Sequence, residues 1–63
     1  MEQTGTLYIS IPINDGYRGK LVTVTRVAGL TEDQAKDHFA EWKRDNPQYH
    51  ACAKWKTERV AFF

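Results

Sequence analysis

The sequence predicts an α+β fold in which one amphipathic helix packs on a three-stranded, mainly antiparallel sheet, in the order ββαβ. Three observations support this prediction: two β-rich runs early in the chain, a segment with the signals of a capped helix, and an alternating run after it. One helix can cover only one face of such a sheet, so the expected architecture is a two-layer sandwich. Residues 1–63 are expected to form one domain, because 63 residues leave no room for a second.

The first strand is predicted in the segment TLYISIPI, residues 6–13, because its side chains alternate with period two. One side collects the large aliphatic residues Leu7, Ile9, Ile11 and Ile13. Pro12 has no amide hydrogen to donate, so this end of the strand should lie at an edge, at a bulge or beyond the pairing. The segment NDGYRG that follows, residues 14–19, has the composition of a hairpin connection longer than two residues.

The second strand is predicted in KLVTVTRVAG, residues 20–29, but its pattern allows two registers. In one register Val22 and Val24 face the helix. In the other register these two valines lie on the uncovered face together with Arg26. Any role of Arg26 on that face is therefore conditional on the register.

The helix is predicted within GLTEDQAKDHFAEWKRDNP, residues 29–47. Thr31 followed three residues later by Gln34 fits a capping box, in which each side chain bonds the other residue's backbone amide. Acidic residues in the first turn and basic residues in the last turn complement the helix dipole. An apolar stripe at helical spacing is formed by Ala35, Phe39 and Trp42. Pro47 marks the end of the helix.

The third strand is predicted from YHACAKWK, residues 49–56, on through TERVAFF to residue 63. Neither Gly nor Pro interrupts this run, so the expectation is one long strand, with a bulge near Thr57 and Glu58. An arrangement antiparallel to the first strand, in spatial order 2-1-3, is favoured; parallel pairing with the second strand is the alternative. The small residues and Trp55 should face the helix, and the opposite set should line the uncovered face: His50, Cys52, Lys54 and Lys56.

No catalytic site, metal site or cofactor is expected. His50 and Cys52 share one side of a strand, but a structural zinc site needs four ligands, and the other histidine, His38, lies on the helix. The same pair is about 6.5–7 Å apart along a strand, which is too far for a nucleophile and its base. A chain this short also forms little concave pocket, so an enzyme is not expected.

Composition predicts a soluble cytoplasmic protein that does not enter a membrane. The single cysteine cannot form an internal disulfide, the first ten residues do not resemble a signal peptide, and no run approaches the roughly 18 apolar residues of a membrane span. The net charge of +1 is unevenly distributed. Residues 32–45 contain five carboxylates and three basic residues, whereas the remainder contains three carboxylates and six basic residues.

The leading functional interpretation is a small non-enzymatic protein-binding module, an inhibitor or regulator of a larger host protein of the kind that phages and mobile elements encode. The expected contact surface is the uncovered sheet face, formed by Tyr8, Arg26, Lys54 and Lys56. Alternative protein-contact surfaces are formed by Tyr17, Asp37, Glu41, Phe62 and Phe63. Aromatic residues and arginine are enriched at protein interfaces, although Phe62 could equally belong to the core.

The alternative interpretation is a nucleic-acid-binding domain that uses the basic, uncovered sheet face. Lys and Arg would contact phosphates there, and Tyr8 would stack on a base. Against this, the isoelectric point near 7.9 is low for such a domain, and no RNP-type motif is present. A homodimer through a free sheet edge, or through Phe62 and Phe63, is compatible with either function.

Overall fold

A computed structural model of the chain describes residues 3–15 and 18–63. The elements are β1 (Gly5–Asp15), β2 (Arg18–Leu30), α1 (Glu32–Asp45), β3 (Cys52–Lys56) and β4 (Val60–Phe62). The strands form one antiparallel sheet in the order β2-β1-β3-β4, and α1 covers one of its faces. The α+β class, the two layers and the antiparallel 2-1-3 arrangement are therefore confirmed.

The prediction of one long third strand is wrong, because the chain reverses after β3 and adds a fourth strand. The turn is made by Thr57, whose amide donates to the Arg59 carbonyl oxygen at 2.8 Å and whose hydroxyl accepts from the Arg59 amide at 3.2 Å. A threonine hydroxyl can hold a turn through its own backbone neighbours without Gly or Pro. The reversal occurs where the bulge was predicted, near Thr57 and Glu58. A bulge would have left the strand continuous, whereas the reversal ends β3 and leads into β4.

Neither predicted register of β2 holds along the whole strand, because a β-bulge changes its phase: Val22 faces the helix, as in the first register, and Arg26 lies on the uncovered face, as in the second. Ile9 of β1 pairs with Thr25, while the next residue of β1, Ser10, pairs with Thr23, so Val24 is the extra residue. A bulge of this kind exchanges the faces of the residues on its two sides. Thr23 and Arg26 consequently lie on the same face, although three positions separate them.

The core lies between α1 and the middle of the sheet. Leu7 and Ile9 of β1 are almost completely buried, together with Ala35 and Phe39 of the helix. From β3, the indole nitrogen of Trp55 donates a 2.9 Å hydrogen bond to the Leu30 carbonyl, which connects the third strand to the end of the second. The remaining buried residues are Ile11 and Ala53. The predicted helix-facing side of β3 is confirmed.

The helix begins where the sequence predicts. The Thr31 hydroxyl accepts from the Gln34 amide at 3.3 Å, and the Gln34 side chain accepts from the Thr31 amide at 2.9 Å, so the capping box is confirmed. Just before it, Gly29 has a φ of 76°, a left-handed conformation that favours glycine. This glycine lies in a second bulge of β2, directly before Leu30, the last residue of the strand, which pairs with Gly5.

The β1–β2 hairpin extends beyond the part of the sheet that is paired with β3. β1 pairs with β3 only over residues 6–10, so residues 11–15 and 18–22 form a two-stranded ribbon beyond the edge of β3. The described residues accordingly extend over 46 Å in the longest direction and 15 Å in the shortest. Within residues 3–15 and 18–63, no helix has the length and apolar character needed to cross a membrane.

Candidate functional site: the open face of the sheet

The sheet face opposite α1, called here the open face, brings together residues from all four strands. Arg26 of β2 pairs with Tyr8 of β1, Tyr8 pairs with Lys54 of β3, and Lys54 pairs with Phe62 of β4. These four residues form one row across the sheet, called the central row. Neighbouring strands are roughly 4.8 Å apart, so a partner placed on this row would meet alternating cationic and aromatic side chains.

The side chains of the central row differ in how much of their surface is exposed to solvent. Phe62 is 79% exposed, and both Arg26 and Lys54 are exposed, whereas Tyr8 is half-buried. The Lys54 amine lies 5.3 Å from the centre of the Tyr8 ring, a cation–π distance. This contact directs the lysine charge over the middle of the open face, and it covers part of the tyrosine ring.

A depression of about 360 Å³ lies beside the central row and is called here the trough. Its floor consists of the short side chains of Ser10, Thr23 and Cys52, which follow one another across three strands. The Ser10 and Thr23 hydroxyl oxygens are 3.3 Å apart and share a hydrogen bond. The other residues that line the trough are Leu21, Ala53, Lys54, Phe62 and Phe63. The trough exists because these short residues lie next to much larger ones.

The trough is bordered by apolar side chains that water reaches. Leu21 is 64% exposed and Phe62 is 79% exposed, and Lys54 also lines the depression. On the other side of the central row, Val60 is 46% exposed and pairs with Lys56. Exposed apolar residues are unremarkable when scattered singly, but a cluster on one face is typical of a contact surface.

The electrostatic character of the open face differs from that of the helix. Among the described strand residues of the open face, three are cationic, namely Arg26, Lys54 and Lys56, and none is a carboxylate. The carboxylates of residues 32–45 belong to α1, in the opposite layer. The uneven charge distribution along the sequence therefore places these cations on the sheet and these carboxylates on the helix.

The residues predicted to contact a partner fall into three groups. Tyr8, Arg26, Lys54 and Lys56 all lie on the open face, and Phe62 joins them there. Asp37 and Glu41 form a separate surface on the exposed side of α1. Tyr17 lies outside the described residues.

The two terminal phenylalanines point to opposite faces of the sheet. Phe62 lies on the open face, whereas Phe63 packs against the core on the helix side and is half-buried. The Phe63 amide donates to the Ala53 carbonyl at 2.9 Å, and the Lys36 amine lies 5.8 Å from its ring centre. β4 ends at Phe62, and Phe63 follows it directly. Phe62 keeps most of its surface in water, whereas Phe63 packs on the core and also lines part of the trough.

Five residues of the trough were not identified from the sequence as site residues: Ser10, Leu21, Thr23, Cys52 and Ala53. The sequence placed Cys52 on the uncovered face, but nothing in β2 indicated that Leu21 and Arg26 share a face. The bulge at Val24 decides that, and a bulge without glycine has no clear sequence signal.

The described part of the chain contains no group of three or more His, Cys, Asp or Glu residues arranged to hold a metal ion. His50 precedes β3 and is exposed outside the sheet, while Cys52 is an exposed free thiol on the open face. The two side chains thus belong to different local structures.

No known family model matches this chain, and searches among curated proteins and solved structures find no significant similarity.

Proposed function

We propose that this chain is a non-enzymatic protein-binding module that uses the open face to occupy a surface of a larger protein, as an inhibitor or regulator does. The observation that carries this proposal is the trough, which is bordered by the exposed apolar side chains of Leu21 and Phe62 and by the cationic Lys54. Protein interfaces typically combine a few apolar anchors with a polar or charged surround. The open face has this composition on strands that are held from behind by the core.

Burial of the exposed apolar side chains would supply much of the binding energy. Complete burial of one side chain the size of Phe or Leu contributes about 1.5–3 kcal/mol. Phe62 and Leu21 keep most of their surface in water, so most of that contribution is still available to a partner. Because β4 is paired to β3 and Phe63 packs on the core, Phe62 is presented on ordered backbone, which reduces the entropy lost on binding.

A second candidate function, nucleic-acid binding, is favoured by one specific observation. The described strand residues of the open face include three cations and no carboxylate. In the central row, Tyr8 lies between Arg26 and Lys54, and Phe62 lies next to Lys54. Against it, the Lys54 amine already lies over the Tyr8 ring, which hinders stacking of a base there. Leu21 is aliphatic and offers no stacking surface.

The proposal is tested by capture of binding proteins from cell lysate with the wild-type chain and three double variants as baits. Leu21→Ser with Phe62→Ser removes the apolar border, and Lys54→Glu with Lys56→Glu reverses two charges. Asp37→Asn with Glu41→Gln changes the helix surface and serves as the matched control. A protein captured by the wild type and the control, but lost with the Leu21 and Phe62 variant, supports the proposal. Capture that survives both open-face variants and is lost with the helix variant contradicts it.

Nucleic-acid binding is tested with the same proteins by fluorescence anisotropy of labelled random-sequence single-stranded DNA and RNA at low and moderate salt. Affinity for nucleic acid should fall steeply with salt, in proportion to the number of phosphates contacted. Salt-sensitive binding that is lost with the Lys54 and Lys56 variant, without any protein partner dependent on Phe62, would replace the protein-binding proposal by the second candidate.

A further inference from the structure

We infer that the trough receives an acidic peptide segment of the partner, with one large apolar side chain inserted between Leu21 and Phe62 and carboxylates beside it facing Arg26, Lys54 and Lys56. This inference rests on the proposed function and specifies the chemistry of the partner. It is carried by the complementarity between the trough and such a segment in volume, polarity and charge.

The volume of the trough limits what can enter it. At about 360 Å³ it is at the lower end of the range of small-ligand pockets. A depression of this size accommodates one or two side chains, and a folded element can only lie across it. The floor of Ser10, Thr23 and Cys52 is polar but short, and two of its hydroxyls already bond each other. The borders supplied by Leu21 and Phe62 therefore favour an apolar side chain as the inserted group.

The cations of the open face lie where residues flanking that anchor would be. Lys54 lines the trough itself, and Lys56 is two residues further along the same strand, about 6.5–7 Å away. Arg26 lies in the same row as Lys54, two strands away, at roughly 10 Å. These separations are comparable with the Debye length of about 8 Å at physiological salt, so carboxylates close to the anchor would be attracted by more than one of the cations.

A second copy of this chain does not have the required chemistry. Contact between two open faces would bring the cations Arg26, Lys54 and Lys56 of one copy against those of the other, which is unfavourable. The acidic side of α1 supplies carboxylates, but the only apolar residue on the exposed positions of this helix is Ala40, which is too short to fill the trough. Neither of these two surfaces of a second copy fits the trough, and the proposed occupant is a segment of a different protein.

A nucleic acid would supply negative charge but no aliphatic or aromatic side chain for the trough. Its bases would need flat surfaces, and of the two aromatic residues that the structure describes on the open face, only Phe62 presents an uncovered ring. Leu21, which is 64% exposed, would gain little from a nucleic-acid partner. An acidic peptide with one apolar anchor would instead contact both kinds of exposed group: the anchor would pack on Leu21 and Phe62, and the carboxylates would face Lys54.

Selection of random 12-residue peptides displayed on phage tests the inference, with the wild-type full chain as bait and the Phe62→Ser variant used to remove peptides that bind elsewhere. The expected consensus has Asp or Glu near a single Leu, Phe or Trp. A synthetic consensus peptide should bind the Phe62→Ser variant about 30-fold more weakly than the wild type, because a buried anchor is worth about 2 kcal/mol. Lys54→Gln should weaken binding about two- to fivefold, as for an exposed ion pair. Asp37→Asn with Glu41→Gln should leave it unchanged.

The outcomes separate this inference from the proposed function. Peptides that depend on Phe62 but lack acidic residues would overturn the inference and leave the protein-binding function standing. Failure to enrich any peptide dependent on Phe62 would also overturn it, and the capture experiment would then decide the function independently. Salt-sensitive binding of random-sequence RNA, lost on reversal of the Lys54 and Lys56 charges, together with capture of no protein dependent on Phe62, would overturn both.

Discussion

The two faces of the sheet are built from alternate residues of the same strands, yet the centre of one face is buried under the helix, whereas residues of the other face are half-buried or exposed. On the helix side Leu7 and Ile9 are 0% and 1% exposed, whereas on the open side Phe62 is 79% exposed. Residues next to each other in the chain therefore differ in what their substitution should do. Changes on the helix side should affect the free energy of unfolding, and changes on the open side should affect binding.

The reason for this division is that the fold has one helix and one core. A domain of this size buries only about 60% of the surface of its unfolded chain, so the few completely buried residues carry a large share of the stability. The open face contributes strand pairing but little apolar burial. It can carry exposed apolar groups and three cations because the core behind it holds the backbone in place.

The largest effect is expected for Leu7→Ala, which shortens a completely buried side chain at the centre of the core. Loss of apolar contact together with the cavity left behind should lower the free energy of unfolding by about 2–5 kcal/mol. Urea denaturation followed by the fluorescence of Trp42 and Trp55 measures this change. Ser10→Ala, on the opposite face of the same strand, is the control and should shift the midpoint far less. Equal shifts would show that the two faces do not differ in this way.

A smaller but clear loss is expected for Gly5→Ala. A Cβ atom at Gly5 would collide with the Lys56 carbonyl oxygen and with the Thr57 side chain, and it would lie 2.9 Å from the Trp55 indole nitrogen. Because backbone is among the obstructing atoms, β1 and β3 would have to separate, at a cost of about 1–3 kcal/mol. Thermal unfolding of Gly5→Ala should show the loss. Gly19→Ala has no atom within 4 Å of its new Cβ and should leave the melting temperature unchanged or slightly raised.

An intermediate effect is expected for Thr31→Ala, which removes the hydroxyl that caps α1. The Gln34 amide loses its 3.3 Å partner, and N-cap replacements of this kind cost about 1 kcal/mol. Amide hydrogen exchange in the first turn of the helix should accelerate, and the urea midpoint should fall. Thr31→Ser keeps a hydroxyl and should restore most of the protection; if it behaves like the alanine variant, the cap is not the cause.

The smallest effect on stability is expected for Phe62→Ser, because its ring is mostly in water. The free energy of unfolding should change by no more than about 0.5 kcal/mol, as for other surface substitutions. Phe63→Ser is the matched comparison: it changes the next residue in the same way, but on the half-buried helix side, and should cost roughly 1 kcal/mol or more. A loss for Phe62→Ser as large as the one expected for Phe63→Ser would mean that Phe62 is part of the core and is not available to a partner.

Short-range patterns predicted the elements whose signals are local. The capping box of Thr31 and Gln34, the alternation of β1 and the inward direction of Ala53 and Trp55 all follow from neighbouring residues, and the structure has them as predicted. The turn at Thr57 was missed because its hydroxyl does what glycine or proline usually does. The reversal it makes turned one expected strand into two.

The alternation of polar and apolar residues was sufficient to define the class of fold, the position of the helix, and the placing of Tyr8, Lys54 and Lys56 on one uncovered face. Only the tertiary structure decided that Arg26, Leu21 and Phe62 join them. That outcome depends on the bulge at Val24 and on the pairing of β4 with β3. The bulge and the β4–β3 pairing both determine which residues lie opposite each other on neighbouring strands. Such pairings depend on hydrogen bonding and packing between segments that are distant in the chain. The pattern of residues within one strand does not contain that information.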